Sequence, residues 1–453
     1  MNKFKNRILG QHNSISIFQQ FKFFAPLAAT SLLIVVTHSL FNAGLARLPS
    51  PEVYISAFAV TKSLMHLITS PEMMVRQTVT ALVTDRDSYD RVRKFTIYLI
   101  AIVVFLLSVT AFSGLSRFIF SRLMGIEGET LEASVTILKV LAVFPIAATW
   151  RNFMQGILIK FEKTPYISAA TIIRIFFVLG MVMVIPRLTT INPAVLAGLM
   201  FLGALLVEAL VSVFGAKIAI GNIRKEIEKR KFEKSEGEPA RLTDRCILRF
   251  YAPLALTGII HTVAMPIINA GLGRTVSPEI AISAFAVAWG LGMIFLSPAM
   301  MFHQVPLNYI GYEDNANNRD VRRFAIVLTV SMTLIMAAIA FTDLGYLLMT
   351  RTIGVTQEIG EKAMDVLKIM VFIPVLIISR EYFWGILMKR RLTRFLGKGK
   401  FIYATVLTIS VVLMLFLRLE NPAIIGALAI LAGDFGELSY LFLVAKANRI
   451  ILS

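Results

Sequence analysis

Long apolar stretches follow one another along almost the whole chain, and short polar stretches separate them. Each apolar stretch is about twenty residues long, which is the length of a helix that crosses a hydrocarbon core of about 30 Å. Because the stretches are continuous and do not alternate with polar residues, they predict helices and not the strands of a barrel. The pattern predicts twelve membrane-spanning helices, at residues 21–46, 52–82, 95–121, 131–160, 165–186, 193–218, 248–273, 279–307, 322–349, 359–389, 400–418 and 422–445.

The composition agrees with a membrane protein, because 57% of the residues are hydrophobic, 16% are charged and the mean hydropathy is +0.73. The first twenty residues are polar and do not form a cleavable signal peptide. A single cysteine, Cys246, excludes an internal disulfide and a cysteine-based metal site. We therefore expect a multi-pass protein of the cell membrane that carries no cofactor.

The basic residues are divided unevenly between the two sets of loops. Of the 46 lysines and arginines, 31 lie in the N-terminal arm, the even-numbered loops and the C-terminus of this prediction. By the positive-inside rule both termini are cytoplasmic, which agrees with an even number of helices. The net charge of +18 follows from this topology and does not predict binding to nucleic acid.

The second half of the chain repeats the first. Three segments recur at one offset of 227 residues: 42–45 at 269–272, 55–60 at 282–287, and 70–71 at 297–298. After the third helix the offset becomes 229 and still holds, as in the match of Gly156 with Gly385. Duplication of a six-helix unit predicts two parallel repeats, 1–218 and 248–453, and such halves typically enclose a pathway that opens to one side at a time. The basic linker between them, 219–247, is expected to be partly helical and to lie along anionic head groups.

Four motifs, spread over both halves, are shared with a known family. They are Ser63-Leu64-Met65 running to Ser70-Pro71, Asp85-Arg86-Asp87, Phe144-Pro145 with Gly156-Ile157-Leu158, and Gly433-Asp434-Phe435-Gly436-Glu437. In these motifs the chain resembles the progressive ankylosis protein family, a branch of the multidrug/oligosaccharidyl-lipid/polysaccharide flippase superfamily. The resemblance implies an all-α membrane protein, with two six-helix lobes that form a V. It also implies export of small anions such as pyrophosphate, ATP or citrate.

Charged residues inside the predicted helices are the candidates for chemistry, because each is costly in hydrocarbon. The cations are Lys62, Arg76, Lys139, Arg151, Arg174, Lys368 and Arg380, and the acids are Glu72, Glu208, Asp365, Glu381, Asp434 and Glu437. The first half therefore holds five of the cations and two of the acids, and the second half holds two and four. This mismatch predicts a basic first half and an acidic second half.

The repeat separates charges that both halves share from charges that occur in one half. Arg151 with Glu208 has a counterpart in Arg380 with Glu437. A pair kept in both halves is most simply a structural bridge between the fourth and sixth helix of each half, and direct contact with substrate is the alternative. Charges without a repeat partner are better candidates for function.

We hypothesise that the first half binds an anionic substrate, because a guanidinium group donates two parallel hydrogen bonds to a phosphate or carboxylate. The candidate substrate-binding residues are Lys62, Arg76, Arg151, Arg174, His303 and Arg380, and the candidate coupling or gating residues are Glu72, Glu208, Asp365, Glu381, Asp434 and Glu437. The acids of the second half would hold a coupling ion, H+ or Na+, or reach the arginines when the pathway closes. The alternative is that the charges of the two halves pair across the interface without a ligand.

Other polar residues in the helices have a structural interpretation beside the functional one. The histidines His38, His66, His261 and His303 suit proton transfer, but a single histidine in a membrane helix is more simply a hydrogen-bonded interface residue. His303 ranks first because its repeat partner is Arg76. Asn42 and Asn269 lie near helix ends beside a glycine, which is typical of helix capping as much as of a ligand role.

Lys139 and Lys368 lie nearer the membrane surface and are expected to extend their amines to it.

A cation-coupled multidrug antiporter is an alternative function, but the predicted first helix, 21–46, has no acidic residue and the basic first half suits an organic cation poorly. A flippase for an anionic lipid-linked precursor is a second alternative, since it too needs a basic cavity.

An enzyme is not expected. The sequence has no His-Glu-x-x-His motif and no Gly-x-Ser-x-Gly elbow, and Gly397-Lys398-Gly399-Lys400 lacks the spacing of a phosphate loop. The expected partners are a small anionic substrate, membrane lipids and the coupling ion. We expect a monomer that does not bind nucleic acid.

Overall fold

The computed structural model describes residues 16–161, 163–184, 190–230, 242–310, 315–390, 392, 394–417 and 419–448. The predicted N-terminal arm up to residue 15 and residues 231–241 of the predicted linker lie outside these ranges. Within them every regular element is a helix, as the apolar pattern predicted. We refer to the described residues up to 230 as the first half and to those from 242 onwards as the second half.

The described part of the chain contains twelve long helical segments, numbered α1 to α12. They are α1 (Ile17–Leu45), α2 (Pro51–Thr69, continued by Ser70–Met74 and Val75–Leu82), α3 (Arg86–Phe112), α4 (Gly128–Lys160), α5 (Pro165–Val184), α6 (Pro193–Ile220), α7 (Asp244–Leu272), α8 (Pro278–Tyr309), α9 (Asn315–Phe341), α10 (Gln357–Met370 and Ile373–Lys389), α11 (Arg394–Phe416) and α12 (Ile424–Ala447). Among the described residues, nine of these segments are long and apolar enough to cross a membrane. The other three are α1, α2 and α10, and the charges of α2 and α10 include several of the candidate site residues.

The predicted boundaries of α3 and α9 were wrong because capping residues and a glycine, not the apolar pattern, decide where these helices begin and end. Helix α3 begins at Arg86 and not at residue 95, since the Asp85 carboxylate accepts a hydrogen bond from the Ser88 backbone N at 2.8 Å and caps the helix. It ends at Phe112 because Gly114 follows with φ = 78°. Helix α9 likewise ends at Phe341, where Thr342 caps a new short helix.

Helices α2 and α8 are interrupted at equivalent positions of the two halves. The interruptions are the 3₁₀ turns Ser70–Met74 and Ser297–Met301, which begin at the repeated Ser-Pro sequences because a proline lacks the backbone N–H that a helix needs. Helix α7 packs against the first turn and α1 packs against the second, so that each contact joins the two halves. The Tyr251 hydroxyl on α7 donates to the Pro71 carbonyl at 2.7 Å and fixes one of these contacts.

Two glycines allow close contact between the helices that carry candidate residues. A Cβ on Gly156 of α4 would lie 2.8 Å from the Arg76 carbonyl, and a Cβ on Gly385 of α10 would lie 2.5 Å from the His303 carbonyl. These positions match at the offset of 229 residues. Each glycine therefore holds its helix against the backbone of a candidate site residue.

The described start of the predicted linker is helical, at Ile223–Arg230, as expected. It packs against the start of α3, where Arg224 lies 2.7 Å from Asp90. The outer faces of the helices are apolar. Phe105 on α3 is 66% exposed and Ile326 on α9 is 58% exposed, which is the arrangement of side chains that face lipid.

Candidate functional site

In the first half, two arginines from neighbouring helices share one buried carboxylate. Glu208 Oε2 on α6 accepts hydrogen bonds from Arg151 Nη1 on α4 at 3.0 Å and from Arg174 Nη1 on α5 at 2.5 Å. The Arg151–Glu208 pair joins the fourth helix to the sixth, as the repeat predicted. Arg174 was not expected in this bridge, and its presence leaves the group with two positive charges and one negative charge.

A third arginine reaches the same group through an amide. Gln155 Nε2 donates to Glu208 Oε1 at 3.3 Å, and Gln155 Oε1 accepts from Arg76 Nη1 at 3.5 Å. No carboxylate of the described residues pairs with Arg76. Arg76, Arg151 and Arg174 therefore converge on one carboxylate, and we call these three residues with Glu208 the arginine cluster.

Two donors of the arginine cluster have no hydrogen-bond partner among the described residues. The Nε atoms of Arg151 and Arg174 are buried and make no hydrogen bond to any residue that the structure describes. A buried donor without an acceptor is costly, so its presence needs an explanation. An anion that enters the cluster would supply the missing acceptors.

Lys62 adds a fourth positive charge on α2. Its amine lies 5.6 Å from the centre of the Phe58 ring, and within the described ranges it forms no ion pair. His66 lies one turn further along α2. The structure thus brings together Arg76, Arg151 and Arg174, whereas Lys62 precedes Arg76 by fourteen residues of α2, or roughly 21 Å at the rise of a helix.

Glu72 has a positioning role in this arrangement. Its Oε2 accepts a hydrogen bond from the Thr149 hydroxyl at 3.0 Å, and its backbone carbonyl accepts one from Asn152 Nδ2 at 3.1 Å. Asn152 Oδ1 in turn accepts from Arg151 Nη2 at 3.2 Å. Glu72 therefore fixes α2 to α4 beside the arginine cluster and, in the described part of the chain, pairs with no cation.

The second half has the inverse arrangement, in which one arginine is enclosed by three carboxylates. Arg380 on α10 lies 2.5 Å from Asp434, 2.9 Å from Glu381 and 3.8 Å from Glu437. The expected Arg380–Glu437 pair is thus the longest of the three contacts. Arg380 is buried and its guanidinium contacts carboxylates, so the structure does not place it with the arginine cluster.

The sequence analysis missed Lys400, which completes this acidic group. Lys400 Nζ lies 2.8 Å from Glu437 Oε2, and Trp384 Nε1 donates to Glu437 Oε1 at 3.0 Å. Lys400 was placed at the membrane surface because α11 was predicted to begin there. The helix begins at Arg394, so that Lys400 is inside and buried.

His303 also lies with the acidic group and not with the arginine cluster. Its Nδ1 lies 2.7 Å from Glu381 Oε2, and its Nε2 lies 2.8 Å from the Gln304 amide nitrogen. If that amide donates to Nε2, the proton of a neutral ring is on Nδ1 and is donated to Glu381. We call Arg380, Glu381, Asp434, Glu437, Lys400 and His303 the acidic cluster.

Asp365 lies apart from both clusters. It is 2.9 Å from Lys368 and accepts a hydrogen bond from Asn421 Nδ2 at 3.0 Å, in an open cleft of about 860 Å³. It precedes Arg380 by fifteen residues of α10, or roughly 22 Å at the rise of a helix. The structure therefore does not bring Asp365 to the other coupling candidates.

The two lysines that were expected near the membrane surface, Lys139 and Lys368, are exposed. The side chains of two further histidines, His38 and His261, lie outside the part of the chain that the structure describes.

The fold is that of a membrane transporter. The chain is similar to an inward-facing multidrug resistance MATE family transporter of the MOP superfamily, with a TM-score of 0.67 and 18% identity over 91% of this chain and 96% of that chain. It is also similar to an outward-facing transporter of the same description, with a TM-score of 0.57 and 18% identity over 93% and 95% of the two chains. A MOP superfamily transporter from Pyrococcus furiosus matches with a TM-score of 0.55 and 17% identity over 93% and 95%.

The family follows from the sequence itself. The model of the progressive ankylosis protein (ANKH) family matches residues 11–280 and 238–449, which together cover nearly the whole chain. The chain therefore belongs to the progressive ankylosis protein family.

Proposed function

We propose that this transporter exports small organic or phosphate anions, of the pyrophosphate, ATP or citrate class, through the arginine cluster of its first half. The observation that carries the proposal is the sharing of Glu208 by Arg151 and Arg174, which leaves two buried Nε donors without an acceptor. Three guanidinium groups around one carboxylate form a site with a surplus of positive charge. Phosphate and carboxylate groups match the planar donors of arginine.

Glu208 makes the site reversible. In the absence of substrate it compensates part of the charge of Arg151 and Arg174, so that two cations are not left without a counter-charge. A substrate anion would compete with Glu208 for the same donors. The site would therefore bind the anion strongly enough for selection and weakly enough for release.

The proposed transport step is a movement of two lobes, 1–218 and 248–453, around this site. In the present conformation the lobes are joined at the ends of α1 and α7 that lead into odd-numbered loops. There the Asn42 side chain donates to the Ala286 carbonyl and the Asn269 side chain donates to the Ala59 carbonyl, each at 3.2 Å. The distribution of basic loops makes the opposite end cytoplasmic. The substrate would enter from the cytoplasm of the cell and leave after these contacts open.

The acidic cluster is the proposed site of the coupling ion. His303 and Glu381 form a hydrogen-bonded pair of an imidazole and a carboxylate, and both kinds of group can bind a proton. Arg380 connects this pair to Asp434 and Glu437, so a proton on Glu381 or His303 would change how strongly the arginine is held. The coupling ion of this proposal is therefore H+, with Na+ as the alternative.

Two alternative functions use the same fold. A multidrug antiporter would bind an organic cation, but each acid of the acidic cluster already has a basic partner within 4 Å among the described residues. The Pyrococcus furiosus relative is described as having a binding pocket of reversed polarity that suggests a different function. A basic pocket in place of an acidic one is what our proposal requires. A flippase for an anionic lipid-linked precursor would use the same arginines with an additional groove for the lipid.

The test is a flux measurement with the full-length protein in proteoliposomes. Uptake of labelled pyrophosphate, ATP and citrate is compared with uptake of organic cations, with and without H+ and Na+ gradients. We expect transport of at least one anion, and we expect Arg76→Gln and Arg151→Gln to reduce it at least tenfold because each removes a charge-assisted hydrogen bond. The control is Arg117→Gln, which removes an exposed arginine paired with Glu132. Anion flux that is the same in all three variants, or transport of organic cations alone, would overturn the proposal.

A further inference from the structure

A groove between α9 and α10 lies apart from both clusters. Its volume is about 440 Å³. The groove is lined on α9 by Arg322, Ile326 and Val330, on α10 by Ile378, Tyr382 and Phe383, and directly after α10 by Arg390. These positions follow helical spacing on each helix, so the groove runs along the two helices.

The groove has one basic end. Arg322 lies near the start of α9 and Arg390 directly follows the end of α10. Both arginines are therefore at the end of the bundle that carries the even-numbered loops. Arg322 is exposed and forms no ion pair with the residues that the structure describes. Asn318, one turn before Arg322, also lines this end, and its Oδ1 is buried without a described hydrogen-bond partner.

The rest of the groove is mainly apolar, with Thr329 and Ser379 among its lining residues, and it opens towards lipid. Ile326 is 58% exposed and Val330 is 52% exposed on the outer surface of the bundle. The groove extends twelve residues along α9, from Asn318 to Val330, or roughly 18 Å. This depth is close to that of one leaflet, about half of the 30 Å hydrocarbon core.

We propose that this groove binds one anionic phospholipid with hydroxyl groups in its head group, of the phosphatidylglycerol class. The phosphate would lie between Arg322 and Arg390, because a phosphate accepts hydrogen bonds from two guanidinium groups. A head-group hydroxyl would donate to Asn318 Oδ1. One acyl chain would lie along Ile326, Val330 and Phe383, whose exposed surface it would cover.

The experiment is native mass spectrometry of the full-length protein after exchange into mixed micelles that contain equal amounts of phosphatidylglycerol and phosphatidylcholine. We expect the wild-type protein to retain phosphatidylglycerol preferentially. The double variant Arg322→Gln/Arg390→Gln is expected to lose this preference about tenfold or more. Val330→Trp, which narrows the apolar part, is expected to reduce retention of both lipids while both arginines remain.

The matched control is Arg323→Gln, which removes an exposed arginine on the same turn of α9 that does not line the groove. We expect Arg323→Gln to bind as the wild type does. Glycerol phosphate, which has the head-group chemistry without acyl chains, should not displace the lipid. Equal retention of the two lipids by the wild type, equal loss in Arg323→Gln and in the double variant, or displacement by glycerol phosphate would each overturn the proposal.

Discussion

Asn42 and Asn269 make the same hydrogen bond in opposite directions across the interface between the two halves. Asn42 Nδ2 donates to the carbonyl of Ala286, and Asn269 Nδ2 donates to the carbonyl of Ala59, both at 3.2 Å. Donors and acceptors are each separated by 227 residues, so the two bonds are related by the internal repeat. The side chains of the asparagines therefore join the two halves and do not cap their own helices, although their neighbouring glycines had suggested capping.

The first prediction concerns these two bonds. Asn42→Ala and Asn269→Ala should each weaken the closed odd-loop end, because each removes a bond whose net contribution is about 1 kcal/mol. Ala46 is buried at this end, and the measurement uses an Ala46→Cys substitution in a Cys246→Ser background. The rate at which this cysteine reacts with a membrane-impermeant maleimide reports how often the end opens. We expect about a fivefold faster reaction for each variant and a larger increase for the double variant.

Asn448→Ala is the control for this measurement. The Asn448 amide donates to the Val444 carbonyl of the preceding helical turn, so this bond does not connect the two halves. Its labelling rate should equal that of the parent protein. If the two interface variants also react at the parental rate, the asparagines do not hold this end closed.

The second prediction concerns the carboxylate that Arg151 and Arg174 share. Glu208→Gln leaves two guanidinium groups in contact without a counter-charge, and we expect a loss of roughly 3 kcal/mol in the free energy of unfolding. Citrate or pyrophosphate should restore part of this stability, because an anion that binds only the folded protein stabilises it by mass action. Thermal unfolding in detergent, with and without the anion at matched ionic strength, measures both effects.

Glu132→Gln serves as the control, because Glu132 and its partner Arg117 are more than half exposed and such pairs contribute little. This variant should unfold near the wild-type temperature and should respond to the anions as the wild type does. The anion-binding assignment would be rejected if citrate stabilised Glu208→Gln no more than it stabilises Glu132→Gln.

The sequence was sufficient for features that depend on local pattern. Apolar runs predicted the long helices, and the repeat predicted the Arg151–Glu208 pair. Each of these depends on residues a few positions apart or on equivalent positions of the two halves. Such information is present in one sequence.

Features that depend on side-chain direction or on backbone acceptors were not predictable. Asp434 and Glu437 lie one turn apart on one face of α12, so the sequence could not decide which of them Arg380 prefers. The acceptors of Asn42 and Asn269 are backbone carbonyls, which every residue has and which leave no pattern in the sequence. Lys400 was missed because a shift of a few residues in the start of α11 moves a lysine from the surface to the interior.

The last prediction concerns the close contact between α8 and α10 at Gly385. An added Cβ would lie 2.5 Å from the His303 carbonyl, and backbone cannot move aside as a side chain can. We expect Gly385→Ala to lower the free energy of unfolding by about 1–3 kcal/mol, as overpacking does, and to reduce transport by displacing His303 from Glu381. Gly397→Ala is the matched control, because its Cβ would meet no atom within 4 Å and alanine favours a helix. The melting temperature and the anion flux of both variants are measured. If Gly385→Ala changes these two quantities no more than Gly397→Ala does, this contact does not position the acidic cluster.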